Sequence, residues 1–232
     1  MSSMISPKNW GLLERRSCLV PTLRGWLLLL IPLAALFVYG FRNMDSFLTL
    51  NDPVPGGVLV VEGWSPDYAF KSAMEESLRH PAGKLYVIGG PLDQGAGLSE
   101  FKSSAELGAA ILIRMGMKKE SVQAVPAPYE SRDRTFSAAV ALYHWLSEHK
   151  AIPRNLNIIS VGAHARRSHL LFQEAFGSGT HVGVIALNNR GYDGAHWWRS
   201  SAGVRSVVDE TVAYCYARAL FIPHRENYRD FE

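Results

Sequence analysis

Short apolar runs alternate with longer segments whose apolar positions recur at helical spacing, and this alternation continues across residues 57–222. Val58–Val61, Leu85–Ile88, Val122–Val125, Leu156–Val161 and Val182–Leu187 are compact, β-branched or aliphatic runs of the kind that form buried strands. The intervening segments predict helices. Ser65-Pro66-Asp67 supplies an N-cap, a proline at the first helical position and an acid in the first turn, for a helix reaching about Arg79. Ser99 is placed to cap a helix from Glu100 to about Met115. A further helix is expected from about Arg132 to Glu148, with Phe136, Ala139, Tyr143 and Leu146 on one face, and another from His164 to about Phe176. The last, Trp197–Phe221, carries Val204, Val208, Val212, Cys215 and Ala219 on one stripe. Strands that read as continuous apolar runs, each followed by a helix, predict an α/β domain: a mainly parallel five-stranded sheet covered by helices on both faces.

One segment breaks this rhythm. Gly25–Phe41 is a 17-residue run without a charged side chain. At about 1.5 Å per residue it reaches roughly 26 Å, near the short limit for crossing a bilayer core of about 30 Å. Arg24 and Arg42 flank it, Trp26 and Tyr39 suit the two interfaces, and Pro32 is a kink that a membrane helix tolerates. The expected layout is an N-terminal segment 1–24, a transmembrane helix 25–41, a linker 42–56, an α/β domain 57–222 and a tail 223–232. Asn51-Asp52-Pro53 and Pro55-Gly56-Gly57 supply the breakers in the linker. No A-x-A site follows the apolar run, which argues against a cleaved signal peptide.

Charge sharpens the topology. The formal net charge is +3, but residues 1–42 hold Lys8, Arg15, Arg16, Arg24 and Arg42 against Glu14 alone. The basic character therefore belongs to the anchor region. By the positive-inside rule the N-terminus is expected in the cytoplasm and the domain outside. The near-neutral remainder lacks the basic face of a nucleic-acid binder. The two cysteines, Cys18 and Cys215, fall on opposite sides of the apolar run and form no disulfide framework.

In an open parallel sheet, ligands gather at the carboxyl ends of the strands. The segments leaving those ends bring Glu62-Gly63-Trp64, Gly89-Gly90, Tyr129 to Thr135, Gly162 to Ser168 and Asn188-Asn189-Arg190 to one edge. Arginines and helix N-termini there would welcome an anion. His164 is a candidate general acid or base, or a histidine that merely caps its helix. Arg134 and Arg167 can hold a phosphate or carboxylate, or pair with Glu62, Glu130 or Asp133. Glu62 can orient His164 or act as a base, or simply partner an arginine. Trp64, Trp197 and Trp198 can line a sugar or lipid pocket, although core packing is the commoner fate of tryptophan. Asp67 fits the first turn of its helix, and Arg166 fits the surface. No H-E-x-x-H, D-x-D, G-x-G-x-x-G or G-x-S-x-G occurs, so the sequence carries no signature for a metal, a dinucleotide or a serine nucleophile, and the cofactor stays unknown.

Several short motifs resemble one family. They are Ile88-Gly89-Gly90 at a strand end, Arg134-Thr135 with Ser137 opening a helix, and Ile159 to Ser168 as a strand followed by H-x-x-R-S. Glu210 in the last helix and Val61-Glu62-Gly63-Trp64-Ser65-Pro66-Asp67-Tyr68-Ala69 at the first strand complete the set. Their order over roughly residues 57–221 is similar to that of the SanA/YdcF/ElyC-like family; the departures are Ser168, where alanine is usual, and a serine-poor end to the second strand. The resemblance implies a Rossmann-like three-layer sandwich on the periplasmic or extracytoplasmic face of a bacterial plasma membrane and a role in the cell envelope, touching peptidoglycan or its lipid carrier. It supplies no settled reaction. Two functions are expected. One is a hydrolase or transferase on a phosphorylated or glycosylated, lipid-linked envelope precursor. In it His164 and Glu62 are catalytic, and Arg134, Arg167, Gly89, Gly90, Thr135, Trp64 and Asn188 bind substrate. The other is a non-catalytic ligand-binding or partner-docking module.

Overall fold

The structure, a computed structural model, describes residues 22–79, 83–92 and 97–223. Most of the basic N-terminal segment, with Cys18, and the tail beyond Pro223 lie outside the described residues. The chain divides after Phe41 into two units.

Among the described residues, the first unit holds one helix. α1 (Leu23–Arg42) extends the apolar run at both ends, keeps Pro32 inside it and buries none of its residues. It is long and apolar enough to cross a membrane.

The second unit is α/β. Helix α2 (Met44–Leu48) falls within the expected linker. The remaining elements follow in order: β1 (Val58–Glu62), α3 (Asp67–Arg79), β2 (Leu85–Gly89), α4 (Ser104–Arg114), β3 (Val122–Pro126), α5 (Arg134–Glu148), β4 (Asn155–Val161), α6 (Ala165–Phe176), β5 (His181–Leu187) and α7 (Ser201–Ala219). The five strands form one sheet in the order β3-β2-β1-β4-β5, and every pairing is parallel.

Successive strand residues point to opposite faces, and the core divides accordingly. Val60, Ile88 and Ile158 pack with Leu142 of α5 and Phe172 of α6. Val61, Val87 and Ile159 pack with Phe70 of α3 and Leu112 of α4. Both faces of the sheet are thus covered, which is why the strands read as unbroken apolar runs rather than alternating ones. Each fully buried leucine, isoleucine or phenylalanine contributes roughly 1.5–3 kcal/mol.

Residues 43–57 belong to the second unit and dock on its sheet. Asp52 makes an antiparallel backbone bridge to Val184 of β5. The buried Asn157 side chain donates to Val54 O and accepts from Val54 N, each at 2.8 Å.

Helix starts differ from expectation where a cap decides them. α4 begins at Ser104 because Ser103 and Glu106 form a reciprocal capping box. α5 begins at Arg134, preceded by Asp133 in the left-handed region at φ 56°. The expected Trp197–Phe221 helix is broken: Gly194–Arg199 forms a 3-10 segment, and Ser200 then caps α7 through the Gly203 amide.

Candidate functional site

The strand order reverses between β1 and β4, and a crevice opens there at the carboxyl ends of the strands. β1 ends in Glu62, which is 1% exposed. The pairing of Val61 with Ile159 sets Glu62 alongside Ser160 of β4, whose hydroxyl donates to Glu62 Oε2 at 3.3 Å. After β4 the chain turns through Gly162, at φ 55°, into a short 3-10 segment ending at His164, and α6 follows. Residues 164, 167 and 168 are spaced to share one helical face. From that face the Ser168 hydroxyl donates to Glu62 Oε1 at 2.9 Å, and His164 Nε2 lies 3.1 Å from the same oxygen.

The other ring nitrogen turns to α7. His164 Nδ1 is 2.8 Å from Glu210 Oε1. Arg167 grips the same carboxylate with Nε on Oε2 at 2.8 Å and Nη2 on Oε1 at 3.0 Å. The 3.0 Å approach of Arg167 Nη2 to His164 Nδ1 follows from this shared acceptor. The imidazole is thus clamped between two carboxylates, with a guanidinium beside it.

The electrostatics follow from the clamp. Burial opposes a charge on His164, but the nearby Glu62 and Glu210 carboxylates overcome it and raise its pKa to about 9. Burial likewise opposes the Glu210 carboxylate, and hydrogen bonds from His164 and Arg167 outweigh it, lowering that group to about 2. At neutral pH the ring is therefore an imidazolium donating both N–H groups to carboxylates.

His164 and Arg167 sit on the wall of a cleft of about 700 Å³, which Arg134, Thr135, Trp64 and Gly90 also line. Trp64 stands half-exposed at the wall, while Thr135 is buried in the first turn of α5. Tyr129 and Tyr216 add aromatic surface.

The other expected site residues fall elsewhere. Glu62 is sealed behind His164, so it orients the ring and has no surface for a ligand. Gly89 packs under the start of α4, where an added Cβ would meet Ser104 Oγ at 2.1 Å. The Gly90 carbonyl accepts from the Ser104 amide at 2.9 Å and its hydroxyl at 3.1 Å. Asn188 lines a separate cavity, because β5 is the edge strand and its outgoing loop lies away from the reversal between β1 and β4. Trp197 is buried in the core, and Trp198 lines that second cavity. Arg166 bonds the Phe47 carbonyl and stacks over its ring at 3.9 Å, packing α6 against α2. Among the described residues no group of three or more histidines, cysteines or acids is placed to hold a metal ion.

Glu210 is the residue that sequence reasoning undervalued. It was visible only as a family-like acidic position, since nothing local ties α7 to α6. Ser168 and Ser160 were also passed over as partners of Glu62. The spacing of His164, Arg167 and Ser168 carried the signal for Ser168.

Comparison with protein-family models, curated proteins and solved structures finds no match to this chain.

Proposed function

We propose that the chain is a single-pass, membrane-anchored protein of the bacterial cell envelope, with its α/β domain on the extracytoplasmic side. In this reading the cleft takes an anionic envelope precursor, phosphorylated or glycosylated, and the protein acts on it as a hydrolase or transferase. The strand order 3-2-1-4-5 supports a Rossmann-like three-layer domain. The SanA/YdcF/ElyC-like motifs and the basic flank of the anchor support the envelope assignment.

The observation that carries the reading is the His164 ring, held between the Glu62 and Glu210 carboxylates on the wall of a cleft that Arg134 and Arg167 also line. Such a group can stabilise developing negative charge, or protonate a leaving oxygen once one carboxylate bond opens. Arg134 and Arg167 would bind the anion, and Glu62 would hold the ring through Nε2.

A second reading, a ligand-binding or docking module, has its own support. Both ring nitrogens of His164 already have carboxylate partners, and Glu62 is sealed from the cleft.

The test uses the full chain in detergent, screened for binding and turnover against phosphorylated sugars, isoprenyl phosphates and peptidoglycan precursors. An enzyme loses about 10²–10⁴ in turnover with His164→Ala, the usual contribution of a general acid, and loses ligand affinity with Arg167→Ala. Binding that needs Arg167 but ignores His164, with no turnover, overturns the catalytic reading in favour of the module. A reporter fused to the C-terminus and active only in the cytoplasm would overturn the topology.

A further inference from the structure

The second cavity shares no lining residue with the His164 cleft and encloses about 920 Å³. That volume lies within the roughly 300–1,000 Å³ of ligand pockets. Its lining is mixed in charge, with guanidinium groups from Arg42 and Arg199 and carboxylates from Asp45 and Asp193.

These groups are held differently. Asp45 is 8% exposed, and its Oδ1 accepts from the Tyr192 hydroxyl at 2.6 Å. Burial and this carboxylate push the Tyr192 pKa up to about 12, so the hydroxyl stays a donor. Asp45 Oδ2 lies beside Gly194, where an added Cβ would come within 2.4 Å of it; glycine keeps that space open. Asp193 pairs with His196 Nδ1 at 2.7 Å and accepts from the Ala195 amide at 2.9 Å. Neither arginine forms an ion pair among the described residues; Arg42 lies over the Trp198 ring, 5.9 Å from its centroid. The two carboxylates are anchored by these hydrogen bonds, and Arg199 is close enough to Asp193 to help hold its pKa down.

A wall with equal numbers of guanidinium and carboxylate groups complements a zwitterion. Phosphate suits the guanidinium fork, and an ammonium suits the carboxylates. A purely anionic ligand would meet Asp45 and Asp193, and a purely cationic one would meet Arg42 and Arg199.

Connectivity indicates where such a ligand comes from. Arg42 follows Phe41 directly, and Asn43, Asp45 and Ser46 are the next residues to enter the lining. If Gly25–Phe41 crosses the bilayer, as in the membrane-anchor reading on which this inference rests, Arg42 would lie at headgroup level, where arginine and tryptophan side chains are favoured.

We infer that this cavity binds the headgroup of an aminophospholipid, with Arg42 and Arg199 on the phosphodiester and Asp45 and Asp193 on the primary ammonium. The site would tie the domain to a lipid headgroup, independently of the cleft's own ligand.

The test is native mass spectrometry of the delipidated full-length chain in detergent. It is titrated with short-chain phosphatidylethanolamine, phosphatidylglycerol and phosphatidylcholine, and with free phosphoethanolamine. Phosphatidylethanolamine is expected to bind at least tenfold more tightly than the other two lipids. Arg199→Gln and Asp193→Asn, both at exposed positions, should each weaken it at least fivefold; Asp45→Asn should do the same, but it disturbs a buried hydrogen bond. Phosphatidylglycerol binding as tightly as phosphatidylethanolamine, or unchanged binding in the Arg199 and Asp193 variants, overturns the inference. Free phosphoethanolamine binding as tightly as the lipid overturns its membrane source. Alkaline extraction of cell membranes tests the anchor separately. Release of the chain at high pH would sink the anchor reading, and retention would support it whatever the titration shows.

Discussion

Replacing Glu210 with glutamine should move the titration of His164 down by one to two pH units. The ring lies 2.8 Å from Glu210 and 3.1 Å from Glu62 and titrates at about 9 instead of 6.5. At about 1.4 kcal/mol per pH unit, that rise is worth roughly 3 kcal/mol in favour of the charged ring, net of the burial that opposes it. Glu210→Gln keeps the side-chain size and an accepting oxygen but removes one of the two negative charges. It also strips Arg167 of its carboxylate partner, leaving a guanidinium within 3.0 Å of the ring. Both changes disfavour the imidazolium, while Glu62 remains to support it. The variant's midpoint should therefore fall to about 7–8. Selective ¹³C labelling of histidine, with NMR titration of the full chain in detergent from pH 5 to 10, reads the midpoint directly. His164→Gln identifies the resonance among the eight histidines. A wild-type midpoint near 6.5, or a variant midpoint within about 0.3 unit of the wild type, would refute the clamp as the cause.

Much of the fold was legible because burial on both faces leaves a simple signature. Runs such as Val58–Val61 and Leu156–Val161 had no polar alternation to confuse them, and each lies within an observed strand. Helix starts were harder, since one or two side chains decide them. Ser99 resembled a cap, but the reciprocal bonds of Ser103 and Glu106 moved the start of α4 to Ser104. Of the site, the part on one helix was readable: His164, Arg167 and Ser168 recur at positions that meet on one face. What came from afar was not. Glu210 reaches His164 only because α7 packs against α6, and no local pattern announces that contact. Asn188 shows the opposite failure. It leaves a strand end as the other candidates do, but strand order decides which ends face the crevice, and the sequence does not give that order.

Three further outcomes follow from the same contacts. Glu62→Ala would leave Nε2 of the part-buried His164 and the Ser160 and Ser168 hydroxyls without their acceptor. Breaking a buried pair in this way costs about 3–5 kcal/mol; a loss below about 1 kcal/mol in denaturant unfolding, where surface pairs fall, would show that Glu62 is not buried as described. Gly63→Ala would put a Cβ 2.3 Å from Ser104 O and 2.8 Å from Ala105 N, both backbone atoms, so α4 must shift. The expected cost is about 1–3 kcal/mol, typical of overpacking, and a melting temperature equal to the wild type would contradict the close approach. The pH dependence of stability has its sign set by two groups that share one ion pair. The His164 pKa is raised from 6.5 to about 9, so its contribution is complete below 6.5 and is lost as pH rises through 9. The Glu210 pKa is lowered from 4.5 to about 2, so its contribution is complete above 4.5 and is lost as pH falls through 2. The pair therefore stabilises most between pH 4.5 and 6.5. Melting curves should show a plateau there that declines on both sides, and Glu210→Gln should flatten both limbs. A wild-type maximum above pH 9, or a variant profile with both limbs intact, would mean that the coupling between α6 and α7 is not what sets the profile.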